Sequence, residues 1–274
     1  MKRLTWSIGA VALLAVGAPS WALGFRFSTE PIRVHASPGQ VINRAFWLTL
    51  AREENPTRFK AHVEDWWRSE DGKQSFYRDP GTLSRSCGKW VTLNPVEATV
   101  AGGETLNVRV TIAVPGGARP GGYWCALTLD EVPDPLAQPN GVGVRFLASV
   151  SVGVFVYIGP LDQRARITAI EVHPDRAAIT LRNEGDCPLG VEGRFEFIPT
   201  GAAEPRVLVP IPRGTLLPEP VNTAILSVGL PAPDALPAGR YLARAILDIG
   251  LDHYIGAQKV LDIQREEGHA GGAK

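Results

Sequence analysis

Three cysteines carry the most available chemistry in this 274-residue sequence: Cys87, Cys125 and Cys187. Cys125 stands in "YWC", two residues after a tyrosine, and Cys87 in the turn-like "LSRSCGKW". In an oxidising compartment a Cys87–Cys125 bridge is the simplest pairing, tying a loop to a strand and stabilising the fold by about 4 kcal/mol through loop closure. Cys187, in the polar turn "NEGDCPLG", is then left over. A nucleophilic thiol needs a neighbouring base, and no sequence cue supplies one. Glu64 and Asp65 in "VEDWW" have the look of a sugar-active carboxylate pair beside aromatics. The simpler reading is a strand with one core tryptophan and a solvated acidic turn. His35, His62, His173, His253 and His269 are scattered singly, without the paired spacing of a zinc site. The sequence holds no nucleophile elbow, His-Glu-x-x-His helix, phosphate loop, Cys-x-x-Cys pair or dinucleotide fingerprint. The residues therefore describe a noncatalytic protein with no cofactor and no metal.

The N-terminal run "MKRLTWSIGAVALLAVGAPSWALGF" has two cations, an apolar stretch too short to span a bilayer, and the small-x-small pattern Ser20-Trp21-Ala22. It reads as a signal peptide over residues 1–22, cleaved after Ala22, which places the protein outside the cytoplasm, in the periplasm or secreted. The chain has 28 basic and 28 acidic residues; losing Lys2 and Arg3 leaves 26 against 28, a net charge of −2. Without a basic surplus, nucleic acid and anionic membranes are set aside as partners. No later segment is apolar enough for stable membrane insertion, and residues 267–274 read as a flexible tail.

Glycine (29) and proline (23) are abundant, and they separate short valine-, isoleucine- and threonine-rich runs. This is the pattern of antiparallel sandwiches. Expected strands are "PIRVHA", "RAFWLTLA", "RFKAHVEDWW", "ETLNVRVTIAVP", "GYWCALTLDEV" and "VGVRFLASVSVGVFVYIG", then "RITAIEVH", "RAAITLRN", "GVEGRFEFIP", "VNTAILSVGLP", "RYLARAILDIG" and "GAQKVLDIQ". The two series echo one another, most plainly in "GGYWCALTLD" and "GRYLARAILD", so the chain is expected to be all-β with two tandem immunoglobulin-like sandwiches. Their expected limits are residues 23–160 and 161–266. Tyr123 and Tyr241 each follow a Pro/Gly-rich bend and are assigned as corner tyrosines, whose hydroxyl bonds back to the bend.

Two features of the first sandwich point outward. Five of the seven tryptophans lie in it with Phe76, Tyr77 and Tyr123, a surplus able to form a glycan- or protein-binding surface. In the last strand, Val142, Val144, Phe146, Val150, Val152, Val154 and Val156 share one parity, and a bend is expected near Gly153. A closing strand at a sheet edge can recruit a partner's strand.

These residues carry two resemblances. A signal peptide, two such sandwiches, an alternating apolar edge strand and "IGP" at the junction together resemble the periplasmic pilus-assembly chaperones. The resemblance implies an edge strand lent to a pilin that lacks its last strand, and a basic pair near the cleft that holds the pilin C-terminus. Arg33 in "PIRVHA" matches the first basic position, and the second, before "FVYIGP", is apolar here. "IRVHASPGQVINRAFWLTL" and "LPAGRYLARAILDIG" also resemble the WxL-interacting surface proteins, without their C-terminal membrane helix. The expectation is a chaperone or assembly partner that binds an envelope protein subunit through Arg33, Val144, Phe146, Val150, Val152, Val154 and Val156. The alternative is an envelope protein that binds a glycan or protein through the first-sandwich aromatics.

Overall fold

The computed structural model describes residues 24–133, 147–173, 175–231 and 236–263. Residues 24–158 supply β1 (Phe25–Phe27), β2 (Ile32–His35), β3 (Val41–Leu50), β4 (Thr57–Arg68), β5 (Gln74–Tyr77), β6 (Val91–Asn94), β7 (Glu97–Val100), β8 (Thr105–Ala113), β9 (Gly121–Val132) and β10 (Ser149–Ile158). One sheet has the order β1-β3-β8-β6 and the other β2-β10-β9-β4-β5, with β7 also on β4. Strict alternation makes these segments strands: in β8, Leu106, Val108, Val110 and Ile112 are buried while the residues between them are mostly exposed. Each such buried side chain contributes roughly 1.5–3 kcal/mol. Beside them in the same sheet are Phe46, Leu48 and Leu50 of β3, and across the core lie Leu127 and Leu129 of β9. The N-terminal segment crosses between sheets, β1 antiparallel to β3 and β2 parallel to β10, through the bend ending at Pro31.

The second sandwich has β11 (Ala165–Val172), β12 (Arg176–Asn183), β13 (Leu189–Pro199), β14 (Val207–Leu216), β15 (Thr223–Gly229), β16 (Gly239–Asp248) and β17 (Ile255–Ile263). Its sheets run β11-β12-β15 and β14-β13-β16-β17 around a second core built on Ile179, Leu181, Phe195, Phe197 and Leu247. The chain is thus all-β, two immunoglobulin-like sandwiches in tandem. Sequence reading passed over β14 because Pro210 and Pro212 interrupt it. Both prolines occupy exposed positions of an edge strand, where a missing N–H costs no ladder bond, while Val207, Val209 and Ile211 at the alternate positions face the core.

A third apolar cluster joins the sandwiches. Trp66, Trp124, Ala126 and Phe155, on the outer side of the six-stranded sheet, enclose Leu217 from the second sandwich. The Trp124 indole donates to the Trp66 carbonyl (2.8 Å), and that of Trp66 donates to the Cys125 carbonyl (3.1 Å). Beside the cluster the Gly122 N–H donates to the Asp186 carbonyl (3.0 Å), the Ile225 N–H to the Glu70 carbonyl (2.7 Å), and the Tyr157 hydroxyl to the Pro188 carbonyl (3.3 Å). A Cβ on Gly122 would lie 2.4 Å from Pro188 Cδ and 2.5 Å from Cys187 Cβ, so the second glycine of "GGYWC" is where the sandwiches touch. Two expectations are corrected here. Glu64 and Asp65 are not a solvated turn: both lie within β4, 6% and 0% exposed. Nor does β10 break at Gly153, since its pairing with β9 runs unshifted from Ser149–Asp130 to Ile158–Gly121; the space a Cβ would take there holds the Phe155 ring.

Candidate functional site

The edge strand β10 is covered unevenly. On one side β9 pairs with all of it; on the other, β2 pairs only with Val154–Tyr157. Among the described residues, Ser149–Gly153 has no strand on that second side, so half of the strand keeps an open backbone edge. Val152, Val154 and Val156 are buried in the protein's own core, and Val150 is half-buried against it. Their side chains seat the strand, and what the open half presents is main chain. Val144 and Phe146 lie outside the described residues.

A polar ladder on the outer face holds this half of β10 in place. The Ser149 hydroxyl donates to Asp130 (2.7 Å), and Ser151 and Thr128 share a hydroxyl hydrogen bond of 2.7 Å. Thr128 also donates to the buried Glu64 carboxylate (2.6 Å). His62 stands between Glu64 (3.6 Å) and Asp130 (3.7 Å).

Beyond the covered half of β10 the edge leads into a cleft between the sandwiches. Arg33 of β2 lies with its guanidinium 5.3 Å from the Phe155 ring centroid, a cation–π contact. The neighbouring His35 ring stacks on Tyr157 at 5.3 Å. Burial raises the Tyr157 hydroxyl above the usual tyrosine range, opposed by the Arg33 charge beside it. Arg33, Arg68 at the end of β4, and Arg213 of β14 together line a cavity of about 310 Å3. Arg33 and Arg213 also border a second one of about 370 Å3 with His35, Tyr157, Glu192 and Asp248. Among the described residues none of the three arginines pairs with a carboxylate. Burial depresses the Arg68 guanidinium, whose buried Nε lacks a hydrogen-bond partner. Sequence reading found Arg33 alone. Arg68 reads there as a strand end, and Arg213 sits on the proline-interrupted strand that was passed over.

Cys87 and Cys125 are both fully buried with their sulfurs 3.1 Å apart as thiols. Burial, then the Cys87 thiol and the nearby Asp65 charge, push Cys125 well above the usual thiol range. Asp65 builds the loop that carries Cys87, accepting from the Gly81 (3.0 Å) and Leu83 (2.8 Å) amides and from the Ser86 hydroxyl. Cys187 is buried at the joint, and burial reinforced by Asp186 pushes it up to about 12. Tyr123 is a corner tyrosine, its hydroxyl donating to the Arg119 carbonyl (3.0 Å). Tyr241 is buried in the second core. The aromatics are dispersed: Trp66 and Trp124 form the joint, Trp90 packs on Tyr123 at 4.5 Å, and Trp67 donates to the Tyr77 hydroxyl. Exposed Trp47 stands on β3, in the opposite sheet from Phe76 and Tyr77. Among the described residues no three His, Cys, Asp or Glu side chains converge as metal ligands, and no helix is long and apolar enough to cross a membrane.

No family model and no curated protein matches the chain. Among solved structures it is similar to the class 5 fimbriae chaperone CfaA, at 12% identity over 87% of this chain and 100% of that one (TM-score 0.47). It is similar to the YadV chaperone at 12% identity over 86% and 99% (TM-score 0.48). A third similarity is to the Pseudomonas aeruginosa CupB2 chaperone, at 11% identity over 86% and 100% (TM-score 0.44). These likenesses are of chain course, at 11–12% identity.

Proposed function

We propose that the protein is a noncatalytic extracytoplasmic chaperone or assembly partner that takes up a client subunit by β-strand addition along β10. The observation that carries this reading is the half-open edge at Ser149–Gly153 on the same strand whose covered half leads to an arginine cleft. An extended client segment laid against that edge gains main-chain hydrogen bonds, and its C-terminal carboxylate reaches Arg33. Arg68 and Arg213 supply the cations that the apolar second position on the edge strand lacks. The same reading sets the sandwich limits at residues 23–160 and 161–266, the signal peptide at 1–22, and a disulfide at Cys87–Cys125. The bond forms by exchange with a disulfide-bearing oxidant, which takes up the two electrons and two protons the thiols release.

The test is site-specific photo-cross-linking of the full chain in its native cell envelope, with the cross-linker at Ser149, Ser151 or, for comparison, Trp47. Adducts to a discrete protein from Ser149 and Ser151 but not Trp47 are expected. Adducts confined to Trp47 would replace this reading with the aromatic-surface one.

A further inference from the structure

On the side that Arg68 lines, the cleft holds more positive charge than one chain terminus can balance, while Glu192 and Asp248 border the adjoining cavity. Arg33, Arg68 and Arg213 line a single cavity with Thr29, Glu30 and Thr215, so three guanidiniums face one carboxylate. Among the described residues none of the three makes an ion pair. The buried Arg68 Nε also has no acceptor. A buried donor without a partner is rare in a folded protein and calls for a reason, and an anion on the Arg68 guanidinium would offset the cost of leaving it unpaired. The three arginines come from three strands, two in the first sandwich and one in the second. Their approach is therefore a product of the joint and not of one strand's local pattern.

We infer that the cleft selects clients whose terminal segment is acidic, with a side-chain carboxylate within a residue or two of the terminal one. This rests on the reading of β10 as the client edge. The terminal carboxylate lies with Arg33, and the second carboxylate reaches the Arg68 and Arg213 guanidiniums. Two anionic groups and Glu30 then match three cations. Thr29 and Thr215 offer hydroxyl donors to remaining carboxylate lone pairs.

Four labelled octapeptides test this by fluorescence anisotropy on the whole mature chain. All alternate threonine and valine and end in glutamate–phenylalanine or glutamine–phenylalanine, each as free acid or as amide. The glutamate free acid is expected to bind about tenfold tighter than the glutamine free acid, the gain of one charge-assisted hydrogen bond. The preference is expected to disappear in Arg68→Gln and to fall in Arg213→Gln. Arg213 is exposed, so its variant keeps the fold if the Arg68 variant does not. Equal binding of the glutamate and glutamine acids overturns the inference, as does a preference that survives both variants. Acids and amides binding alike, with glutamate still favoured, would remove the terminal anchor and leave the acidic preference standing. No binding by any peptide overturns both readings. Displacement by millimolar inorganic phosphate with the same ranking of variants would make this a free oxyanion site and overturn the inference.

Discussion

Replacing Gly122 with alanine should open the joint while leaving both cores intact. The new Cβ would lie 2.4 Å from Pro188 Cδ and 2.5 and 2.7 Å from the Cβ and Cα of Cys187. Carbon atoms rest at about 3.5–4.0 Å, so the 186–188 loop must retreat by roughly 1 Å. A backbone atom cannot rotate aside as a side-chain tip can. The 3.0 Å hydrogen bond from Gly122 to Asp186 would stretch to about 4 Å and be lost. Overpacking of this kind costs about 1–3 kcal/mol and the hydrogen bond about 1 kcal/mol more, so the joint should weaken by about 2–4 kcal/mol. Trp124 and Trp66, 0% and 4% exposed under Leu217, would then meet water. Tryptophan emission should shift to the red and the radius of gyration should rise. Peptide binding in the arginine cleft should weaken as well, because Arg213 moves away from Arg33 and Arg68. Gly117→Ala, with nothing within 4 Å of its Cβ, is the control. If the two variants have the same emission, radius and binding, the joint does not depend on this contact.

The protein purified from an oxidising compartment should be about 2 Da lighter than its all-thiol mass, and reduction should lower its unfolding free energy by about 4 kcal/mol. Full labelling of Cys87 and Cys125 by a thiol reagent in denaturant, without prior reduction, would contradict the bridge. Stability should also fall as pH rises from about 9 towards 12. The unfolded Cys187 thiol ionises near its ordinary 9.0 and the folded one only near 12, so between those values the unfolded state binds fewer protons. The slope approaches about 1.4 kcal/mol per pH unit. Denaturation of Cys187→Ala across this range should show that part of the fall removed. Asp65→Ala strands the Gly81 and Leu83 amides and should cost about 3 kcal/mol in urea unfolding, with Cys87 gaining reactivity.

Much of this was legible in residue order, and the reasons for the rest are local. Alternation marked β8 because one face is buried and the other wet, whereas β9 is buried on both faces and stood out as an apolar run between turns. The bend–Gly–x–Tyr phrase marked the Tyr123 corner because the hydrogen bond to Arg119 needs only four residues of separation. Cys87 and Cys125 were paired by elimination; the structure brings their sulfurs to 3.1 Å as free thiols, without a bond. The arginine cleft was illegible for the opposite reason. Arg68 and Arg213 stand 145 positions apart in numbering, and the joint, with Leu217 under Trp124 and the Ile225 N–H on the Glu70 carbonyl, brings their strands together. Glu64 and Asp65 misled because charge usually signals solvent. Here Thr128 and the 81–86 loop satisfy both carboxylates within the fold. Of the five tryptophans, Trp66 and Trp124 are taken up by the joint, a use that sequence order does not show.

Amide hydrogen exchange on the whole chain with the glutamate-ending free-acid octapeptide at saturation tests the central claim most directly. Strand addition should slow exchange selectively within Ser149–Gly153, by about tenfold or more at alternate amides, while β12 and β16 stay unchanged. Bound peptide with unaltered exchange across Ser149–Gly153 would contradict β10 as the client edge.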